Sequence, residues 1–489
     1  MRQHILKQLD NATLAVNFCK NPLCEDFGSL NLDNYIVTNQ HSITPKVACK
    51  SCRSIQNLIC SEVLDIEIIQ QNQHKRHQLP CCNNEVCNNF GLNVHLYPHL
   101  YHSFGFSGEK QRYRCKQCQS TIVDRFSVDN PQLDIHITIL GLLLTGFSPK
   151  EIAKKLSMQA KTFNDHLKTM AVLCRQKSTL FDHHWQDSQS KFNLGSKFTS
   201  LQPKSSNGVL LHATCDLSSQ YIIDHNINLT NRDSHPPVID EKRIIKPSFI
   251  ALRNKLPQLK NDDPVEAQLK AIEIRIDERF EELNPLEELP NFKYPLKSAL
   301  VKPQYAMTAH FTRIAHKVCN KPIALLIPLE PCLATSALNA FNSFRQQQIF
   351  DMAYIHQDLG WKPSKHIFKP DQITWLHSKA IWNMAEQRRL RGANVHRIMG
   401  TLVESNLDTK ELFSLPNLTP LNEYFHRFHA LFKVTVQEPR RRLRPEGLMP
   451  LLDIYRAWNN LCHQIEPGQT PAVNAGISEK PLSLAQLLG

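Results

Sequence analysis

The chain has 489 residues, 41% of them hydrophobic and 21% charged, a balance that excludes a disordered polymer and predicts roughly three or four globular domains. No apolar run approaches the roughly 20 residues of a bilayer-spanning helix. The longest, Ile135 to Leu144, is broken by His136, Thr138 and Gly141, so no membrane partner is expected. A net charge of +12 favours a polyanion as partner.

Eight of the fifteen cysteines form two copies of one pattern. Cys19-x4-Cys24 is followed after 24 residues by Cys49-x2-Cys52, and Cys82-x4-Cys87 after 27 residues by Cys115-x2-Cys118. The flanks repeat too: CKNPLCEDFG and CNNEVCNNFG share C-x-N-x-x-C-x-x-F-G. Two closely spaced cysteines turn their sulfurs toward one ion across a tight knuckle. A second pair, brought alongside by a hairpin, completes a tetrahedral Zn2+ site. Gly28 and Gly91 stand where such a knuckle needs positive φ. The amino terminus, MRQHILKQLDN, has no secretory pattern, which predicts a cytoplasmic chain with reduced thiols rather than a disulfide framework. Two structural zinc ions are therefore expected, in ribbons over 1–62 and 78–125. Cys81, beside Cys82, leaves one ligand choice open, and basic residues (Lys46, Lys50, Arg53; Arg112, Arg114, Lys116) flank both knuckles.

Residues 132–180 predict a helix-turn-helix. The apolar residues Ile135, Ile139, Leu142 and Leu143 have helical spacing, and Gly146 ends that helix. Ser148 and Pro149 start a second helix as N-cap and first residue, with Glu151 completing a capping box. A third follows, with Phe163, Leu167 and Met170 on one face. Its outward residues Lys161, Thr162, Asn164, Asp165, His166 and Lys168 are of types that reach phosphates and base edges of double-stranded DNA. The polar span 186–207 predicts a linker.

Beyond it, residues 208–465 predict a mixed sheet with flanking helices, so the whole is an α+β multidomain chain. Val209 to Asp216 and Gln220 to Leu229 predict a hairpin. The span 231–300 predicts an insertion with a charged helix over 264–283. A helix at Tyr305–Val318, the strand Lys321–Leu329, a helix from Ala334 and the strand Phe350–His356 follow. Helices are expected over Ile373–Leu390, Pro420–Lys433 and Pro450–Cys462, and a tail over 466–489. Arg440, Arg441, Arg442 and Arg444 form a dense basic run.

The knuckle motif, its R-x-R-C-x-x-C partner and the helix-turn-helix resemble the front of bacterial insertion-sequence transposases. The end, DIYRAWNNLCHQIEPGQTPAVNAGISEKPLSLAQLL, is similar to their Y-x-x-x-N … TPA-x-x-AG pattern, and HATCDLSSQYIIDHNINL looks like their central sheet. The resemblance implies a ribonuclease H-like core whose three acids hold two Mg2+ ions for strand cleavage and transfer. It points to Asp216, to Glu330 closing the strand ALLIP, and to Glu423, with Glu386 as second choice. The chain departs from the pattern: SLQPKSSN (200–207), where relatives carry an earlier aspartate, has no acid, and glutamate stands where they have aspartate after ALLIP. Two functions stay open, an active transposase recognising element ends and a DNA-binding protein or repressor of that lineage without cutting chemistry. Either would act on DNA in the nucleoid, and the resemblance also implies a homo-oligomer bridging two DNA ends. An RNA-binding ribbon protein, which would need aromatic stacking surfaces on a sheet, is the distant third.

Overall fold

The structure is a computed structural model. It describes residues 15–231, 243–244, 287–288, 298–359, 381–403, 418–432 and 445–489, less gaps at 22–23, 39–45, 54, 60, 77–79, 85, 125–129, 202–208, 302, 329, 391–392 and 402. The charged helix expected over 264–283 and the arginine run at 440–444 lie outside the described residues.

Each four-cysteine module is a small antiparallel sheet closed by its knuckles. The first contains β1 (Tyr35–Thr38), β2 (Lys46–Cys49) and β3 (Ile55–Asn57), in that order, and is followed by helix α1 (Ser61–Arg76). The second contains β4 (Tyr101–Ser107), β5 (Lys110–Cys115) and β6 (Thr121–Val123). Three helices come next: α2 (Leu133–Leu144), α3 (Pro149–Lys155) and α4 (Ala160–Ser188). The capping box forms as expected, with Ser148 Oγ accepting from the Glu151 amide and the Glu151 carboxylate accepting from the Ser148 amide. Helix α4 runs well past the predicted unit. Its 29 residues make a rod of roughly 44 Å.

The body is a seven-stranded sheet. Its strands are β7 (Phe192–Ser200), β8 (Leu210–Asp216), β9 (Ile222–Ile227), β10 (Ile323–Pro328), β11 (Phe350–Leu359), β12 (Ile381–Leu390) and β13 (Ala393–Thr401). They lie in the order β12-β13-β11-β10-β7-β8-β9. The strands β7, β8 and β9 run as an antiparallel meander, while β10 is parallel to both β7 and β11. Helices α5 (Pro303–Val318) and α6 (Pro331–Gln346) supply the connections into and out of β10. Helices α7 (Thr419–Phe432) and α8 (Pro445–Leu461) follow the sheet, and the short α9 (Leu484–Leu488) ends the chain.

Two elements differ from expectation. The span 186–207 is not a linker among its described residues: α4 ends inside it and β7 occupies the middle of the sheet. In FNLGSKFTS the residues Phe192, Leu194 and Phe198 are buried, a period of two that the intervening polar residues obscure. Residues 381–390 form strand rather than the end of a helix. Met384 to Arg389 are mostly good helix formers, but the ladder to β13 and, through it, to β11 overrides that local preference.

Helix α4 is bound into this body by buried charge. Asp182 accepts from Arg456 Nη2 at 2.5 Å, Lys317 Nζ at 2.9 Å and Tyr221 Oη at 2.9 Å. Burial alone would raise the Asp182 pKa, but the two cations outweigh it and hold the carboxyl below its ordinary value. Burial pushes Lys317 down to about 8. The 466–489 tail also packs inward: Ala472, Leu487 and Leu488 are fully buried in the main core, and α9 lies against α2 and α4.

Candidate metal centres and candidate nucleic-acid helix

The eight cysteines gather into two groups, Cys19, Cys24, Cys49 and Cys52, and Cys82, Cys87, Cys115 and Cys118, whose sulfurs lie within 4.8 Å of one another. A tetrahedron with metal–sulfur bonds of about 2.3 Å has edges of roughly 3.8 Å. The sulfur separations are 3.6 Å for Cys19–Cys52, 3.8 Å for Cys24–Cys49, 3.4 Å for Cys82–Cys118 and 3.8 Å for Cys87–Cys115. Donor type, number and spacing therefore fit Zn2+. Cys81 stays outside the second group and settles the ligand choice in favour of Cys82.

The backbone explains why the pattern repeats. In both knuckles the glycine amide bonds back to the first cysteine, Gly28 to Cys19 O and Gly91 to Cys82 O, each at 2.9 Å. Both glycines have positive φ, +72° and +73°. After each C-x2-C pair one residue takes the left-handed region, Arg53 at +58° and Gln119 at +61°. Two tyrosines complete the repeat. Tyr35 Oη accepts from the Cys19 amide at 3.0 Å and donates to Ser29 O at 2.7 Å. Tyr101 Oη accepts from the Cys82 amide at 3.3 Å and donates to Leu92 O at 2.6 Å. These tyrosines were not among the expected site residues. Their signal is that each stands directly after a short turn, LDN or PHL, before the second cysteine pair.

The two centres differ in what meets the sulfurs. In the second, Asn89 donates its backbone amide to Cys87 Sγ at 3.4 Å and its side-chain amide to Cys115 Sγ at 3.3 Å. In the first the matching residue is Asp26. Its backbone amide donates to Cys24 Sγ at 3.4 Å, but its carboxylate lies 3.8 Å from Cys49 Sγ. As a thiol, Cys24 is pushed up to about 11 by burial, whereas the Ser120 hydroxyl 3.0 Å from Cys118 draws that thiol down to about 6. A divalent cation at either centre would favour all four thiolates at once and release their protons.

The residues expected to meet DNA cluster at the start of α4. Lys161, Thr162, Asn164 and Lys168 are exposed there, while Phe163, Leu167 and Met170 are buried behind them. The turn from α3 is short and pivots on Ser157 at φ +50°. His166 departs from expectation: it is half-buried, with Nδ1 3.1 Å from Nε2 of the buried His136. It joins α2 to α4 and does not share the outward face.

The three acids proposed from the resemblance do not converge. Among the described residues, the groups of three or more acids, histidines or cysteines close enough to share a metal are the two cysteine groups alone. Asp216 closes β8, and its carboxylate is taken up by its own turn and by Trp185 of α4. Its carboxylate accepts from Ser219 Oγ at 2.6 Å, Ser218 N at 3.0 Å and Trp185 Nε1 at 3.4 Å. Asp216 stands opposite Leu194, which stands opposite Leu325. Glu330 lies beyond the other end of β10, whose last residue Pro328 is roughly 10 Å further along the strand direction than Leu325. It is buried and occupies the N-cap position of α6 without capping it through its side chain. Glu423 is exposed on α7, and Glu386 lies in β12, opposite Arg397. The strand nearest the expected first acid, β7, carries neither Asp nor Glu; its Lys197 donates to Asn422, the neighbour of Glu423. These residues do not fit a two-Mg2+ centre.

No family model, curated protein or solved structure matches this chain. No helix among the described residues is long and apolar enough to cross a membrane.

Proposed function

We propose that the protein binds double-stranded DNA through the start of α4, on a transposase-like plan whose cutting chemistry is not carried by Asp216, Glu330 and Glu423. The observation that carries the reading is the exposed row Lys161, Thr162, Asn164 and Lys168, presented by a capped helix, a short turn and a rigid second helix. Arginine and lysine types neutralise phosphates, and asparagine pairs with adenine edges in the major groove. The strand order supports the lineage. A meander of three strands, then two parallel strands added beside the first through helical crossovers, is the arrangement a ribonuclease H-like core would have. The two ribbons would each hold one structural Zn2+.

The test is selection of duplexes from a randomised pool by the zinc-loaded chain, followed by titration of the selected duplex. Micromolar or tighter binding that weakens with salt, and that Lys161→Ala/Asn164→Ala weakens with altered base preference, is the expected result. Binding unchanged in that variant would overturn the assignment of α4. Cleavage of the selected duplex in Mg2+, abolished in Asp216→Ala, would overturn the inactive reading.

A further inference from the structure

We infer that the second ribbon carries a separate phosphate clamp, two guanidiniums held ready by Phe104, that grips the backbone of the same duplex. The inference rests on the DNA-binding reading above. Register places His102 opposite Arg114, and Arg112 opposite Val123. These residues share the face of the small sheet turned away from Cys115 and Ile122, which line the ribbon's interior. Phe104 lies on that face too, with the Arg114 guanidinium 3.4 Å and the Arg112 guanidinium 5.1 Å from its ring centre. Exposed Lys110 continues the row.

Three observations turn this face toward an anion. None of the ion pairs among the described residues takes up Lys110, Arg112 or Arg114. Arg114 Nε is buried without a hydrogen-bond partner among the described residues. Arginines stacked on a ring have already given up much of their side-chain freedom, so binding a phosphate costs them less. Alternate residues on one strand lie roughly 7 Å apart, room for each guanidinium to take its own phosphate.

The place of the ribbon selects duplex DNA as the occupant. Tyr97 of the second ribbon meets His183 of α4 edge-on at 6.2 Å. His183 lies 22 residues after Lys161, which on a helix is roughly 33 Å, about one turn of the duplex. A duplex read by the start of α4 and running along that helix would bring its backbone to the ribbon about one turn away.

The experiment is anisotropy titration of the selected duplex over a range of salt, with Arg112→Gln/Arg114→Gln and Phe104→Leu in the full zinc-loaded chain. Zinc content of two per chain in each variant establishes that the ribbon is folded. The double variant should bind on the order of 10-fold to 100-fold more weakly, equally for all sequences, and its salt slope should fall by about 2. Phe104→Leu, which keeps both charges, should weaken binding several-fold with the slope unchanged. A double variant with wild-type affinity and slope would overturn the clamp while leaving the α4 reading intact. A wild-type chain that binds no duplex would overturn both. Tighter wild-type binding to a single strand of equal length, dependent on the same arginines, would overturn the duplex as occupant.

Discussion

The two ribbons share a knuckle, a tyrosine and a cysteine geometry, yet they are built into the molecule in opposite ways. In the first, Phe18, Cys19, Tyr35, Val47 and Cys49 belong to the same buried cluster as the helices and the seven-stranded sheet. Arg345 of α6 lies over the Phe27 ring at 4.6 Å, and a Cβ at Gly28 would fall inside its guanidinium. Helix α1 extends the attachment, packing Leu64 against Tyr305, Ala306 and Ala309 of α5. In the second ribbon the buried cluster is its own: Cys82, Cys87, Val94, Tyr101, Cys115 and Ile122. Half of those six residues are zinc-ligand candidates, so a metal bound there would supply what a core of this size cannot. One local motif thus serves as a piece of the body and, repeated, as an outlying module.

The largest expected effect follows from that contrast. Cys49→Ser should remove zinc from the first ribbon and open the shared core, lowering the main melting transition by on the order of 10 °C or leaving the chain insoluble. Cys115→Ser should cost one zinc and leave the main transition within about 2 °C of wild type, because the second ribbon melts by itself. Calorimetry with metal analysis checks both. Equal losses in the two variants would break the distinction between an embedded and an outlying ribbon.

A smaller effect separates the two candidate metal centres themselves. Donors to a ligand sulfur stabilise the thiolate, and a carboxylate beside it does the reverse. Asn89 donates twice in the second ribbon, whereas Asp26 brings a carboxylate to Cys49 in the first. Asp26→Asn should therefore slow removal of zinc from the first ribbon by a chelator by roughly tenfold. Asn89→Asp should speed it in the second. Release curves read with a zinc-sensitive dye check the pair, and no change in either would show that burial alone governs retention.

How much of this was legible in the sequence depends on the range of the forces involved. The cysteine ligands, Gly28 and Gly91 and the Ser148–Glu151 cap are local devices, and their residues sit within a few positions of one another. The helices and the strands of the central sheet from Val209 to His356 were legible by period. What escaped depends on distant partners. β7 looked like a linker because Asn193, Ser196, Lys197 and Thr199 are polar, yet Ser196 is buried and bonded to His212 at 2.8 Å and Thr214 at 2.8 Å. β12 carries helix-forming residues and is held as strand by β13. His166 reads as one of a polar row until His136, 30 residues away in the chain, is found beside it. The acids expected of a metal centre have suitable positions in the chain, but the register of β7, β8 and β10 keeps Asp216 and Glu330 apart.

That histidine pair offers the finest test, because it lies in the core that the first ribbon shares and the second does not. Burial, with the neighbouring His166 adding to it, lowers the pKa of His136 to about 4 from its ordinary 6.5. The unfolded chain therefore binds the proton more readily over that interval. The contribution of a neutral, buried His136 is fully present above about pH 6.5 and is lost as pH falls toward 4. The ring-carbon shifts of His136 followed by NMR should titrate with a midpoint near 4. This readout is independent of zinc release, which acid also promotes. A midpoint at or above 6 would mean that water reaches the junction of α2 and α4, and that the core anchoring the first ribbon is looser than its burial indicates. A midpoint near 4 would make the same junction the rigid base from which the exposed start of α4 projects.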